Sequence, residues 1–212
     1  MDMLNKKPDE NHGGVNKRAD AKVQKTVLSY LHDLVFLLTG LLLVFVLLFR
    51  MVVVSGPSMR TTLLNGDYLL VLSSTLYHNP KQGDVIVASK DSFKDGEPIV
   101  KRVIAKAGQK VDIDFDLGTV YVDGVALDEP YTLEPTYTPD GANITLRNNF
   151  PMTVDEGCLF VMGDNRNNSK DSRYPDIGLI DEREVLGKVI FLLIPAKDDV
   201  TKKRDFSRIG VV

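Results

Sequence analysis

From Leu34 to Phe49 the chain reads LVFLLTGLLLVFVLLF, sixteen residues without a charge. Arg50 interrupts, and Met51–Val54 continues the apolar run. A hydrocarbon core of about 30 Å takes about 20 apolar residues of helix to cross. Leu34–Val54 reaches that length when Arg50 sits near the far interface and snorkels its charge into water. A buried core helix is the alternative, but such a helix in a small domain carries one apolar stripe, and this run is apolar all round. A cleaved secretory leader is the second alternative. The polar region ahead of the run is long, and no Ala-x-Ala-like site follows it, which favours a retained anchor. Lys17, Arg18, Lys22 and Lys25 flank the run on its N-terminal side. This basic flank places the N-terminus in the cytoplasm and the rest of the chain outside. Residues 1–25 are polar and aperiodic and read as a disordered tail. The expected organisation is therefore a tail over 1–25, a membrane anchor over 31–54, an extracytoplasmic domain over 55–198 and a C-terminal tail over 199–212.

Composition narrows what the outer domain can do. The 212 residues carry a formal net charge of -3, which gives no electrostatic case for nucleic acid as a partner. Cys158 is the one cysteine, so no intrachain disulfide forms. With only His12, His32 and His78 beside it, a structural zinc site is excluded. No HExxH helix, P-loop or GxGxxG fingerprint is present, and no metal or cofactor is expected. The outer domain reads as mostly β. Tyr68–Leu72, Asp84–Ala88, Leu159–Met162 and Lys188–Ile194 are short runs of branched and aromatic residues. Val120–Asp123, Gly124 and Val125–Leu127 form a hairpin pattern with a tight Asp-Gly turn. Thr132–Asn149, rich in Thr, Pro, Asn and Asp, reads as a long loop.

Three constellations carry chemistry. Ser55-Gly56-Pro57-Ser58-Met59 follows the apolar run directly, so a reactive Ser58 would act at a membrane surface. A serine hydroxyl needs a base, and His78, the one histidine in the outer domain, sits in the polar loop Tyr77-His78-Asn79-Pro80. Lysine is the better candidate. Ile99-Val100-Lys101-Arg102-Val103-Ile104-Ala105 is an apolar strand pattern broken by two adjacent cations. Alternation puts Lys101 and Arg102 on opposite faces, one inward and one towards water. Burial of Lys101 would disfavour its ammonium form and make it a base near neutral pH; the competing reading is a pair of ordinary edge charges. The third constellation runs from Met162 to Tyr174 and includes Asp164, Asn165, Arg166, Ser169, Asp171 and Arg173. Asp171 and Arg173, two apart, can pair across a turn and buttress a site.

In this order, and behind an N-terminal anchor, the three constellations resemble the bacterial type I signal peptidases, and most closely their compact Gram-positive members. Gly56-Pro57-Ser58-Met59 with Thr62-Leu63 is similar to the family's nucleophile box, and Gly66-Asp67-Tyr68-Leu69-Leu70-Val71 to its next strand. Lys101-Arg102-Val103-Ile104 with Gly108 resembles its lysine box. Gly163-Asp164-Asn165-Arg166, Asn168-Ser169 and Asp171-Ser172-Arg173-Tyr174 match its most distinctive box, and Gly178, Gly187-Lys188-Val189 and Pro195 fit its closing strand. Thr61 stands where the family usually has proline, and Gly56 where some members carry a serine that helps the oxyanion hole.

The resemblance implies a β catalytic domain behind one transmembrane helix, with Ser58 as nucleophile and Lys101 as general base. It implies that Ser169 orients the Lys101 amine, that Asp171 and Arg173 hold their loop, and that Gly56 supports the oxyanion site. Asp164 and Asn165 are expected to be structural. The implied partners are exported preproteins, cut after small residues one and three places before the scissile bond, and membrane lipid. Two rival readings share parts of this pattern. A self-cleaving repressor-type Ser/Lys peptidase needs a DNA-binding helix pair, where this chain has a charged tail and an apolar span. A non-catalytic β domain that binds envelope partners predicts that Ser58 and Lys101 lie apart.

Overall fold

The computed structural model describes residues 12–93, 96–137, 149–197 and 202–212. The chain divides into two units, one up to Val46 and one from Leu47 to Val212. The first contains most of α1, His12–Leu48. Helix therefore begins well ahead of the expected anchor, and residues 12–25 are helical rather than irregular. Asn16–Lys25 is rich in Lys, Arg, Ala and Gln and free of proline, so nothing stops a helix nucleated in the apolar run from propagating through it. The expectation for residues 1–11 lies outside the described residues. Lys22–Leu48 is exposed along its length and, at 27 residues, long and apolar enough to cross a membrane.

The apolar run over which the anchor is expected extends past the end of the helix. The helix stops at Leu48, and β1, Phe49–Val53, follows at once. Arg50 is thus a strand residue, paired with Val71 of β2, Tyr68–Ser73. The reason is local: Val52, Val53 and Val54 are β-branched and prefer a pleated surface with a partner strand.

The second unit is a mostly β domain of two sheets. Its remaining strands are β3 Val85–Ala88, β4 Ile99–Lys106, β5 Lys110–Asp114, β6 Thr119–Val122, β7 Val125–Ala126, β8 Met152–Thr153, β9 Cys158–Met162, β10 Ile180–Asp181, β11 Val185–Ile194 and β12 Gly210–Val211. The larger sheet runs β1-β2-β11-β3-β4-β9-β10, with β12 added to β11, and the smaller runs β7-β6-β5-β8. Every pair is antiparallel. The β6–β7 hairpin turns on Asp123 and Gly124, both with positive φ (52° and 79°), as the Asp-Gly pattern predicts.

One apolar cluster, with Val54, Met59, Leu63, Leu69 and Val189, lies beneath the segment that carries Ser58. A second joins the two sheets through Ile104, Val111, Val120 and Phe160. Residues 202–212, expected as a tail, belong to the domain: β12 pairs with Phe191 and Leu192 of β11, and Val212 packs on the first cluster. An open strand edge with unpaired backbone groups and an apolar cluster beside it hold this segment in place. Of the expected loop Thr132–Asn149, residues 138–148 lie outside the described residues.

Candidate active site

Ser58 sits on a loop that leaves β1 and returns to β2. Its stem is closed by hydrogen bonds from Val54 N–H to the Asp67 carbonyl (2.9 Å) and from Gly66 N–H to the Val54 carbonyl (2.8 Å). Gly56 takes a φ of 89°, a conformation glycine adopts at little cost, and its N–H donates to Asn65 Oδ1 at 3.0 Å. Met59, 1 % exposed, plugs the underlying cluster and leaves the neighbouring Ser58 half-buried.

Lys101 comes from β4, which is buried on both faces. It is 4 % exposed, and its Nζ donates to Ser58 Oγ at 2.9 Å and to the Val100 carbonyl at 2.9 Å. The nucleophile and base candidates, 43 positions apart in the chain, are therefore in hydrogen-bond contact. The non-catalytic reading predicts that these two residues lie apart, and the structure brings them together.

Arg102 differs from expectation. It does not face water but is 8 % exposed. Its Nε and Nη2 donate to the two carboxylate oxygens of Asp164 at 2.8 and 2.7 Å, and Nη1 donates to the Gly83 carbonyl at 2.7 Å. The Tyr131 ring stacks over the guanidinium at 4.0 Å. Both sides of β4 are covered by protein, so alternation separates Lys101 from Arg102 without exposing either. Asp164 also accepts from the Thr62 hydroxyl. It thus ties the lysine strand, the Ser58 loop and the third constellation together, the structural part expected of it.

The 163–173 segment grips the Ser58 loop from the other side. Asn165 N–H donates to the Ser58 carbonyl at 3.0 Å, and Asn165 Nδ2 to the Pro57 carbonyl at 3.2 Å. Gly163 permits this approach: a Cβ there would lie 2.4 Å from the Ser58 carbonyl oxygen and 2.3 Å from Ser169 Oγ. Ser169 is 7 % exposed, and its hydroxyl also meets the Asp171 carboxylate. Asp171 is fully buried and bidentate with Arg173 (2.8 and 2.9 Å), and it accepts the Gly163 N–H at 2.9 Å. Burial alone would raise the Asp171 carboxyl. The Arg173 charge and the hydrogen bonds around it outweigh burial and hold the carboxyl below its ordinary range. Arg173 closes the segment by donating to the Arg166 carbonyl at 2.6 Å.

Further residues support the site, and two of them, Glu129 and Tyr131, were not singled out from the sequence. Arg166, wholly buried, forks onto Glu129 at 2.7 and 2.6 Å, and Tyr131 donates to the same carboxylate at 3.0 Å. Burial, with the Glu129 charge, pushes the Tyr131 phenol up. Thr61 donates its hydroxyl to the Tyr131 carbonyl at 2.9 Å, so a side-chain tie stands where the resembling family has proline. The Gly163-Asp164-Asn165-Arg166 motif pointed to Arg166. Nothing in the sequence pointed to Glu129 or Tyr131, whose contacts are long-range.

Ser58 and Lys101 open onto a cleft of about 380 Å³. It is lined by Val52–Gly56 and Glu97–Val100, together with Asn168 and Lys170. Among the described residues no group of His, Cys, Asp or Glu is arranged to hold a metal ion.

Residues 27–194 match the family model described as "Signal peptidase, peptidase S26". Signal peptidase I of Bacillus licheniformis is 36 % identical over 156 residues, 73 % of this chain and 81 % of that protein. Signal peptidase I T of Bacillus subtilis is 33 % identical over 189 residues, 88 % of this chain and 95 % of its own length. A crystal structure of a signal peptidase I from Enterococcus faecalis V583 aligns with a TM-score of 0.40 at 31 % identity, covering 52 % of this chain and 97 % of that one. By the extent of the family match and the identity to these relatives, the chain belongs to the signal peptidase family of serine peptidases.

Proposed function

We propose that this chain removes N-terminal signal peptides from exported preproteins at the membrane, with Ser58 as nucleophile and Lys101 as general base. The observation that carries the reading is the 2.9 Å contact between a half-exposed hydroxyl and a buried amine at the floor of an open cleft. Neutral Lys101 takes the Ser58 proton as Oγ attacks the scissile carbonyl. The ammonium then returns a proton to the leaving amine. Lys101 next deprotonates the water that hydrolyses the ester, and Ser58 Oγ regains its proton. The Ser58 N–H is the first donor to the developing oxyanion, a role that needs about 2.7–3.1 Å to the charge. Ser169 orients the amine, and Asp171 and Arg173 keep Ser169 and Gly163 in place. The apolar cleft walls, lined by Val52, Val54, Pro98 and Ile99, suit short aliphatic side chains rather than charged ones.

The test uses the full chain in lipid vesicles with a preprotein substrate, and the N-terminus of the product is sequenced. The reading expects a single new terminus directly after an Ala-x-Ala-like triplet, and a block when the last of these residues is made bulky. Cleavage at unrelated positions, or indifference to that residue, contradicts it.

The proposed topology has the N-terminus in the cytoplasm and the residues beyond Val54 outside. The orientation rests on the basic residues ahead of the apolar run, while the long apolar helix and the apolar face of the larger sheet support the membrane attachment. Met51, Val53, Tyr68, Ile194 and Val211 are 60, 50, 37, 40 and 85 % exposed. Val53 pairs with Tyr68, which pairs with Ile194, so these three share one face, a surface suited to lipid. Protease added to intact protoplasts is expected to degrade the domain beyond Val54 and spare a tag at Met1. A protected domain contradicts the orientation, and release of the chain by an alkaline carbonate wash contradicts the anchor.

A further inference from the structure

We propose that Arg208 is a positioning residue for the reaction at Ser58: reaching in from the C-terminal segment, it fixes the loop that carries the nucleophile. The proposal rests on reading Ser58 as the nucleophile, but its structural half stands apart from that reading. Arg208 lies beyond residue 194, where the match to the family model ends. This grip on the loop is therefore additional to the motifs through which the chain is assigned to its family.

The target of Arg208 is Asp67, the closing residue of the Ser58 loop, whose side chain is wholly buried. Arg208 Nη2 donates to Asp67 Oδ2 at 2.7 Å and Nη1 to Oδ1 at 3.1 Å. Nη2 also lies 3.3 Å from the Thr62 carbonyl, four residues past Ser58. The same carboxylate accepts Leu64 N–H at 2.7 Å and Ala196 N–H at 2.6 Å. One charged fork thus reaches two points of a single loop. A planar guanidinium does this, whereas an ammonium, being a point charge, satisfies one of them.

The segment that carries Arg208 is itself anchored. Asp205 accepts the N–H and the hydroxyl of Ser207, shaping the Phe206–Arg208 turn. β12 then adds to β11, and Val212 packs on the cluster that holds Met59 and Leu63. Within the loop, Leu63 N–H donates to the Met59 carbonyl at 2.8 Å, so the end that Arg208 grips is joined by a hydrogen-bonded turn to the residue after Ser58. The Asp164 and Asn165 contacts hold the loop from the opposite side. Without Arg208 the Asp67 carboxylate keeps the neutral N–H donors of Leu64 and Ala196, and a buried carboxylate held that way draws in water or a proton and moves its loop.

The test compares the full-length chain with Arg208→Ala and Arg208→Lys in lipid vesicles, well below their unfolding temperatures. In Arg208→Ala, kcat is expected to fall about 10- to 100-fold, the scale of a misplaced reacting group, with KM within about twofold of the unaltered chain. Arg208→Lys recovers part of the loss. Amide hydrogen exchange at Leu63, Leu64 and Gly66 speeds up in Arg208→Ala, while Val103 and Val161 in the central strands stay as protected as before. A kcat within about twofold of the unaltered chain overturns the proposal. So does exchange that speeds equally in the loop and the central strands, which would mark general destabilisation. Ser58→Ala runs alongside. If that variant still cleaves, the nucleophile reading fails, and the exchange pattern alone still decides whether Arg208 holds the loop.

Discussion

Ser58→Ala is expected to abolish preprotein cleavage while leaving the domain folded, and Lys101→Ala is expected to do the same. Each loss is expected to exceed about a thousandfold in kcat, because a hydroxyl without a base, or a base without a nucleophile, has no route to the acyl-enzyme. The fold survives for different reasons in the two variants. Ser58 is half-buried at a cleft floor, and its removal deletes one oxygen. Lys101 is buried, and trading its side chain for a methyl group removes an amine that is costly to keep away from water, without breaking the ladder from β4 to β3 and β9. Groups that act as one unit lose activity non-additively, so the double variant is expected to be little worse than either single one. Near-normal cleavage by either single variant is incompatible with the proposed chemistry.

Asp171→Ala is expected to cost about 3–5 kcal/mol of stability, the range for removing one partner of a buried ion pair. Arg173 would remain 3 % exposed without its counter-charge, and the Gly163 N–H would lose its acceptor. Against a total of about 5–15 kcal/mol for a domain, that loss is large. Activity should fall with it, since Gly163 lies against the Ser58 carbonyl. Urea unfolding reads the change as a shift in midpoint at constant slope; a loss under about 1 kcal/mol would mean that Asp171 does not hold the loop. The same pair sets an acid limit. The Asp171 carboxyl is held below its usual range in the fold, so its contribution is fully present above the unfolded value of about 3.9. It is lost as pH falls through the lower, folded value. Asp84 adds to the same trend: burial opposes its ionisation, but Lys188 and Tyr77 outweigh burial and keep its carboxyl low. The unaltered domain should therefore lose stability below about pH 4, and Asp171→Ala should show a shallower acid dependence.

The sequence disclosed this molecule unevenly, and the reasons are physical. Short apolar runs with aromatic residues, such as Tyr68–Ser73 and Cys158–Met162, were legible because local preference and tertiary pairing agree there. The boundary at Leu48 was not legible, since Phe49–Val53 continues the apolar run apart from Arg50 and the partner β2 decides its conformation. Arg102 was misplaced because alternation names two faces but cannot say that both are covered. The tail expected over 199–212 lacks periodicity, yet its residues 202–212 are held by an open edge of β11 and by the buried Asp67 carboxylate, neither of which its own residues reveal. The residues of the candidate site were legible because each box is contiguous. The residues that brace them, Glu129, Tyr131 and Arg208, come from distant segments and leave no local signature.

The proposed chemistry stands or falls on the protonation of Lys101. Free lysine titrates near about 10.4, which leaves little neutral amine at ordinary pH. Withdrawal from water disfavours the ammonium form, and Lys101 is 4 % exposed beside Val100 and Val103. The deciding measurement is kcat/KM on a short Ala-x-Ala peptide between about pH 5 and 11, which reports ionisations of the free enzyme. It is made on the unaltered chain and on Lys101→Arg, whose guanidinium stays protonated throughout. The expected result is a rise with pH whose midpoint lies below that of free lysine, and no activity in the arginine variant. A flat profile across this range, or full activity in Lys101→Arg, would contradict the assignment of Lys101 as the base.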